Sequence, residues 1–172
     1  MSAVLPIAGR ARVLGDDVNT DYIISSRRKK NTIDPQQLRH YLLEDVDPAF
    51  AASVRPGDLL VAGHNFGCGS AMEVAVTAVL GAGIRAVVAQ GFSRTYLRNA
   101  MNNGLLAVVA NTGGIAEGEA LQLRQGDDGA LRLDIASSGR SIACEPIAPF
   151  MLDMLNAGGL VPYLRERGGF SP

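Results

Sequence analysis

The sequence has no tryptophan, two cysteines, two lysines, and an aromatic content of only 5%. With so few aromatics, a core must be built mainly from Val, Leu, Ile and Ala. The two cysteines, Cys68 and Cys144, lie far apart and form no CxxC or other metal-ligand spacing. That excludes a disulfide framework and fits a reducing compartment. No stretch approaches the roughly 20 apolar residues of a membrane span. Met1 to Gly9 is apolar, but it lacks an early basic residue and is interrupted by Pro6, so it is too short for a secretory leader. A cytoplasmic protein is expected. An excess of one charge is also missing. Sixteen basic and seventeen acidic residues leave a formal charge of −1, which argues against a general nucleic-acid or membrane-surface binder.

What is present is enough for a folded domain. The 172 residues, 47% hydrophobic and 19% charged, are expected to form one domain over 1–172. A chain of this size buries about 70% of the surface it would expose when unfolded. Its charge is unevenly spread. Arg27, Arg28, Lys29 and Lys30 are consecutive and hold a quarter of all positive charge.

Punctuation along the chain predicts an α/β fold. Arg10 to Leu14 reads as a strand closed by Gly15-Asp16-Asp17. Asp34-Pro35 caps a helix expected over Pro35 to Leu43, and Asp47-Pro48 opens another to about Val54. Asp58 to Ala62, Ala86 to Ala89 and Leu106 to Ala110 read as buried strands. Between them lie a helix over Ser70 to Leu80 and another capped by Ser93 and ending near Met101. Successive strand–helix–strand units imply a parallel sheet. After Thr112 the period changes to two, predicting an antiparallel hairpin over Leu121–Leu123 and Leu131–Ile135 and a further strand at Ser141 to Cys144. A helical tail follows from Pro149 to Arg167, broken at Gly158-Gly159.

The stretch richest in chemistry is Gly63-His64-Asn65-Phe66-Gly67-Cys68-Gly69-Ser70, set between a strand and a helix. Glycines let backbone approach a ligand, and a helix N-terminus offers N–H groups to an anion, with Ser70 at or near the N-cap. The same residues also fit an ordinary tight turn with a capping serine. The run is neither GxxxxGK[ST] nor GxGxxG, which disfavours nucleotide binding.

Four segments in order carry a family resemblance: Asp17 to Ile24 (DVNTDYII), Gly57 to Gly63 (GDLLVAG), Asn65 to Ser70 (NFGCGS) and Gly83 to Ala89 (GIRAVVA). Together they resemble the small subunits of isopropylmalate isomerase and homoaconitase and the swivelling C-terminal domain of aconitase, over about Arg10 to Val109. The resemblance implies the aconitase swivel fold: an α/β domain with a parallel core, an antiparallel β extension and C-terminal helices. It implies a hydro-lyase that moves a hydroxyl by one carbon in a hydroxy acid, active only with a large subunit carrying a [4Fe-4S] cluster. This chain would bind no cofactor or metal itself, and no nucleic acid or membrane is implied. Ser70 falls on the family's serine base and Asp21 on an acidic residue of its active-site network, with Thr20 beside it and Gly69 and Ala71 flanking the serine. For Thr20 and Asp21 an Asx-type turn is the alternative. Since a free serine hydroxyl is a very weak acid, its alkoxide would need the helix N-terminus and cationic neighbours. Isomerisation of 2- to 3-isopropylmalate in leucine synthesis is the expected activity. Homoaconitate or a methylated malate is an alternative substrate, and a non-catalytic regulatory paralogue the alternative class.

Two departures from the family pattern stand out. Where the family continues Ser-Ser-Arg-Glu, this chain has Ser70-Ala71-Met72-Glu73. A thioether replaces a carboxylate-binding arginine, a loss worth about 2–5 kcal/mol if the clamp is made in a dry site. Where the family reads Ile-Ile-Pro and a specificity segment, this chain runs Ser25-Ser26-Arg27-Arg28-Lys29-Lys30. Either the run is a solvated cationic loop, or Arg27, Arg28 or Lys30 grips a distal carboxylate in place of the missing arginine.

Overall fold

The computed structural model describes residues 4–168. Seven strands form one sheet in the order β4-β3-β2-β1-β5-β6-β7. They are β1 (Ile7–Val13), β2 (Leu59–Ala62), β3 (Ala86–Ala89), β4 (Leu106–Val109), β5 (Ala120–Gln125), β6 (Leu131–Ile135) and β7 (Arg140–Ala143). β1 to β4 are parallel, with Ala11 opposite Leu59, Val61 opposite Val88 and Val87 opposite Ala107. β5 to β7 continue antiparallel from the other edge of β1. The expected mixed α/β architecture is therefore present. The sheet also curls, a feature that periodicity does not encode. After β7, Cys144 bridges Ala110, and the Glu145 N–H donates to the Val109 carbonyl at 2.8 Å, bringing the two ends of the sheet together.

Every residue of β2 and β3 is buried, as the apolar runs require of strands covered on both faces. β5 and β6 alternate instead, with Leu121, Leu123, Leu131, Leu133 and Ile135 inward. Burial of each such side chain is worth about 1.5–3 kcal/mol, so this aliphatic set sustains a core with few aromatics. Phe66 and Tyr96 meet edge to face at 5.1 Å between ring centroids, and the buried Tyr96 hydroxyl donates to the Ala75 carbonyl at 3.2 Å.

The helices are α1 (Thr20–Ile23), α2 (Pro35–Leu38), α3 (Phe50–Ser53), α4 (Val74–Gly81), α5 (Arg94–Asn102), α6 (Pro149–Asn156) and α7 (Leu160–Arg167). Caps read from sequence hold where the side chain is unambiguous. Asp34 accepts from the Gln36 N–H, Ser93 accepts from the Tyr96 N–H, and Gly158-Gly159 separates α6 from α7. Three expectations are corrected. β1 begins at Ile7, three residues early, because its first half pairs with β5 rather than β2. The helix expected to reach Leu43 stops after one turn and continues as a 3₁₀ turn over Arg39–Tyr41. Leu43 then adopts φ +55°, which a helix cannot accommodate. The helix expected from Ser70 starts at Val74, with Glu73 as N-cap.

The amino end of the parallel strands is closed by ions. Arg10 binds Asp58 with two hydrogen bonds of 3.0 and 2.8 Å, and Arg12 stands 3.6 Å from the same carboxylate. Arg12 also donates to Glu117 at 2.6 Å and to the Ser53 hydroxyl at 2.8 Å, and its guanidinium lies 4.4 Å over the Phe50 ring. Burial pushes the Asp58 carboxyl up. The Arg10 hydrogen bonds, the Arg55 N–H and the two guanidinium charges outweigh it and leave the group below its ordinary range.

Candidate active site

The carboxyl ends of β1 and β2 lead into two loops that are laced together. In open parallel sheets this is the end at which ligands bind. The Asp17 N–H donates to the His64 carbonyl (2.9 Å), the Gly67 N–H to the Val18 carbonyl (2.8 Å), and the Thr20 N–H to the Cys68 carbonyl (2.8 Å). The Asn65 amide donates to the Asp17 carboxylate at 2.8 Å, and the His64 N–H donates to Asp16 at 2.7 Å. Asp17 and Asn65 both adopt left-handed backbone, at φ +53° and +57°. Asp and Asn tolerate that conformation better than other non-glycine residues. Two glycines are required here. Gly67 has φ +78° and the Tyr96 ring fills the space a Cβ would need, while Gly69 has φ +93° against the Asn19 side chain. The Ser93 hydroxyl donates to the Gly67 carbonyl at 2.7 Å, tying the loop after β3 into the same assembly.

Against this frame the expected site residues separate. Ser70, Asp21, Gly69 and Ala71 are exposed at the strand ends. Thr20 is buried, and its hydroxyl donates to the Ser70 carbonyl at 2.8 Å. It grips the serine's backbone and does not itself face an open ligand surface. Asn19 accepts from the Asp21 N–H at 2.9 Å and Asp21 accepts from the Ser26 N–H at 2.9 Å, so the Asx turn is present. The turn leaves Asp21 at the surface.

Three expectations about the chemistry change. Ser70 is not the N-cap of α4, because it lies three residues ahead of Glu73. A helix dipole acts within its first turn, so it does not supply the alkoxide stabilisation expected of it. Met72 is 4% exposed, packed into the core between the exposed Ala71 and Glu73. Met72 is thus turned inward between two exposed neighbours, away from the surface on which Ser70 is exposed. Arg28 is already engaged. It makes two 2.8 Å hydrogen bonds to Glu44 and stacks 3.8 Å from the Tyr41 ring centroid. Arg27, 62% exposed, reaches Asp45 at 3.0 Å and Glu44 at 3.4 Å. Lys29 and Lys30 are exposed and form no ion pair among the described residues.

Sequence reasoning missed Glu44 and Tyr41, because nothing in the local pattern links them to a basic run sixteen residues earlier. Asp17 and Asn65 were legible as turn formers but not as partners. Among the described residues no group of three or more His, Cys, Asp and Glu side chains is placed to hold a metal ion. The Cys144 thiol is pushed up to about 11, chiefly by burial and then by the charge of Asp134, so it is protonated at neutral pH. An iron–sulfur cluster has no ligand set among these residues.

Comparison with known proteins places this arrangement. Residues 21–113 match the aconitase C-terminal domain. The chain is 41% identical over 161 residues to the methanogen homoaconitase small subunit of Methanocaldococcus jannaschii, covering 94% of this chain and 92% of that protein. It is 39% identical over 163 residues to the 3-isopropylmalate dehydratase small subunit of Moorella thermoacetica, covering 94% and 96%. A crystal structure of 3-isopropylmalate dehydratase from Methanocaldococcus jannaschii superposes with a TM-score of 0.88 at 40% identity, covering 95% of this chain and 96% of that one. The chain belongs to the aconitase C-terminal domain family. Within it, the chain is of the small-subunit kind of the 3-isopropylmalate dehydratase and homoaconitase hydro-lyases.

Proposed function

We propose that this chain is the small subunit of a cytoplasmic hydro-lyase that interconverts 2- and 3-isopropylmalate in leucine biosynthesis, with Ser70 as the base. The observation that carries the reading is the 2.8 Å bond from the buried Thr20 hydroxyl to the Ser70 carbonyl. It joins the two loops that carry the family's motifs, and both Ser70 and Asp21, the residue after Thr20, are exposed.

In this reading Ser70 takes a proton from the carbon beside a substrate carboxylate, and the hydroxyl on the neighbouring carbon leaves as water after receiving a proton from a general acid of the completed site. The reverse addition returns both with the positions exchanged. An exposed serine next to water has no means of stabilising its alkoxide. The site is therefore completed by a large subunit that covers this face, excludes water and brings cations to Ser70. A [4Fe-4S] cluster, for which this chain has no ligands, belongs on that partner and would supply Lewis acidity. Asp21 sits at the hinge between the serine loop and the basic run, holding Ser26 and offering a carboxylate to the proton network. No described helix is long and apolar enough to cross a membrane.

One observation favours a second substrate, a tricarboxylate such as homoaconitate. Lys29 and Lys30 are exposed and free of ion pairs among the described residues, on the segment that follows α1. Gly69 and Ala71 add no charge beside Ser70, so a distal carboxylate would be met by Lys30 or by the exposed Arg27.

Reconstitution with a large subunit carrying three cluster cysteines tests the function. The complex is expected to hydrate or dehydrate at least one of these acids, followed by ultraviolet absorbance of the unsaturated intermediate, while the isolated chain is inert. A reconstituted complex with no such activity on any of them would sink the reading.

A further inference from the structure

The loop that ends at Ser70 is held from both sides. On the β1 side, the Gly67 N–H donates to the Val18 carbonyl and the Thr20 hydroxyl to the Ser70 carbonyl, each at 2.8 Å. On the β3 side, the Phe66 N–H donates to the Gly91 carbonyl and the Ser93 N–H to the Phe66 carbonyl, each at 2.9 Å. The Ser93 hydroxyl then donates to the Gly67 carbonyl at 2.7 Å. Gly67 therefore has its N–H fixed by one neighbouring loop and its carbonyl by the other.

Ser93 is also the N-cap of α5, its oxygen accepting the Tyr96 N–H at 3.2 Å. A cap needs only that acceptor, and Asp or Asn supplies it as well as Ser does. The proton of the hydroxyl is not needed for capping, and it goes to a loop 26 residues earlier in the chain. Tyr96, whose N–H Ser93 receives, forms a platform beneath that loop. Five Phe and four Tyr are the only aromatic residues in the sequence, yet Phe66, Phe92 and Tyr96 meet here. Phe66 stands edge-on to Phe92 and Tyr96 at centroid distances of 5.9 and 5.1 Å, and those two rings lie parallel at 6.5 Å. The Tyr96 ring fills the place of a Gly67 Cβ, and its hydroxyl donates to the Ala75 carbonyl in α4. Gly67 lies before Ser70 and Ala75 after it, so one buried ring meets the chain on both sides of the serine. An ordinary capped turn between a strand and a helix needs none of these contacts.

We propose that Ser93 is a positioning residue for the reaction at Ser70. Its hydroxyl, backed by Tyr96, holds the Gly67 carbonyl and so fixes where the backbone delivers the serine side chain. Ser93 acts through Gly67 and touches no substrate, so its effect falls on kcat and not on KM. This inference rests on the reading of Ser70 as the base.

The test compares wild type with Ser93→Asp, Ser93→Ala and Ser93→Thr in the reconstituted complex, using whichever of 3-isopropylmalate and homoaconitate the wild type turns over faster. An ionised Asp keeps the capping acceptor but has no proton to donate, whereas Thr keeps both functions. Ser93→Asp is expected to lower kcat about tenfold with KM within about twofold of wild type, and Ser93→Thr to hold kcat within about twofold. Ser93→Ala should lower kcat as far as Ser93→Asp does, which excludes an effect of the new charge. In the isolated full-length chain, Ser93→Asp should speed amide exchange at Gly67 by about fivefold or more, while the capped Tyr96 amide stays within about twofold. Unchanged kcat in Ser93→Asp overturns the proposal, as does unchanged exchange at Gly67, or a Ser93→Thr that loses kcat as fully as Ser93→Asp. Ser70→Ala separates this inference from the reading on which it rests. It should abolish turnover and leave Gly67 exchange as in wild type. Retained turnover in that variant counts against Ser70 as the base, whereas lost turnover there together with an unaffected Ser93→Asp counts against Ser93 alone.

Discussion

The two ends of the parallel strands are closed by different chemistry. At the amino end Asp58, 3% exposed in its side chain, lies between Arg10 and Arg12, and Arg12 reaches on to Glu117 and Ser53. Nearly all of that charge is neutralised within the network. At the carboxyl end the loops are closed by hydrogen bonds, two of them accepted by the Asp16 and Asp17 carboxylates, and no ion pair joins Asp21 to another described residue. The contrast teaches where charge is spent on structure and where it is kept for a ligand. Charges that neutralise one another, as Asp58 and Glu117 do with Arg10 and Arg12, have little left to offer a substrate. An end held by hydrogen bonds rather than ion pairs can leave a serine and a carboxylate exposed without loosening the loops that carry them.

That division gives opposite expectations for substitutions at the two ends. Ser70→Ala should lower turnover of the reconstituted complex at least a thousandfold, the scale associated with losing a principal acid–base or nucleophilic group. Its melting temperature should not move measurably, because the position is exposed and its carbonyl remains bonded to Thr20. A variant with full activity, or one that loses activity only by unfolding, would break the contrast.

Asp58→Asn should do the reverse. It removes the charge that two guanidinium groups share in a buried setting, at a cost of about 2–3 kcal/mol, while kcat and KM of the folded complex stay within twofold. The pH dependence follows from the carboxyl's lowered pKa. A carboxylate that binds protons less readily when folded contributes its stability fully above the unfolded pKa, about 3.9, and loses it as pH falls through the folded value. The gap between wild type and variant should therefore be constant from pH 5 to 8 in denaturant titrations and shrink only in more acidic solution. A gap that closes near neutral pH would show that Asp58 is not the charged partner.

The sequence makes the parallel core plain because β2, β3 and β4 are short apolar runs bounded by Gly and Pro, and such runs have few other fates. The C-terminal hairpin is equally plain, since Leu121, Leu123, Leu131, Leu133 and Ile135 alternate about a Gly-Asp turn. Caps are readable for the same local reason at Asp34 and Ser93. What local pattern cannot carry is contact between distant segments. Met72 looks like a substitution in a binding motif until its side chain is seen to be packed in the core, 4% exposed, ahead of a helix that starts only at Val74. Arg28 looks free until Glu44 is brought to it by a backbone reversal at Leu43 that no propensity favours. The curl joining Cys144 to Ala110 is likewise a tertiary closure without a sequence period.

Thr20 is the position at which the two kinds of closure meet, because it is buried like Asp58 but acts on the exposed serine. Its hydroxyl satisfies the Ser70 carbonyl while its own N–H is satisfied by Cys68. Thr20→Val keeps the shape and removes one neutral hydrogen bond, and the freed carbonyl can turn to water because Ser70 is exposed. The stability cost should be about 1 kcal/mol, smaller than at Asp58. The effect on chemistry should be about tenfold in kcat with KM nearly unchanged, because a loop released at one bond displaces the base without touching whatever holds the substrate. Thr20→Ser retains the donor and should restore kcat to within twofold, even where the missing methyl costs some stability. If Thr20→Ser and Thr20→Val lose kcat alike, the hydroxyl is not what holds Ser70 in place. If Thr20→Val raises KM instead, Thr20 touches the substrate after all, and the carboxyl end spends a buried group on binding where this structure shows it spent on position.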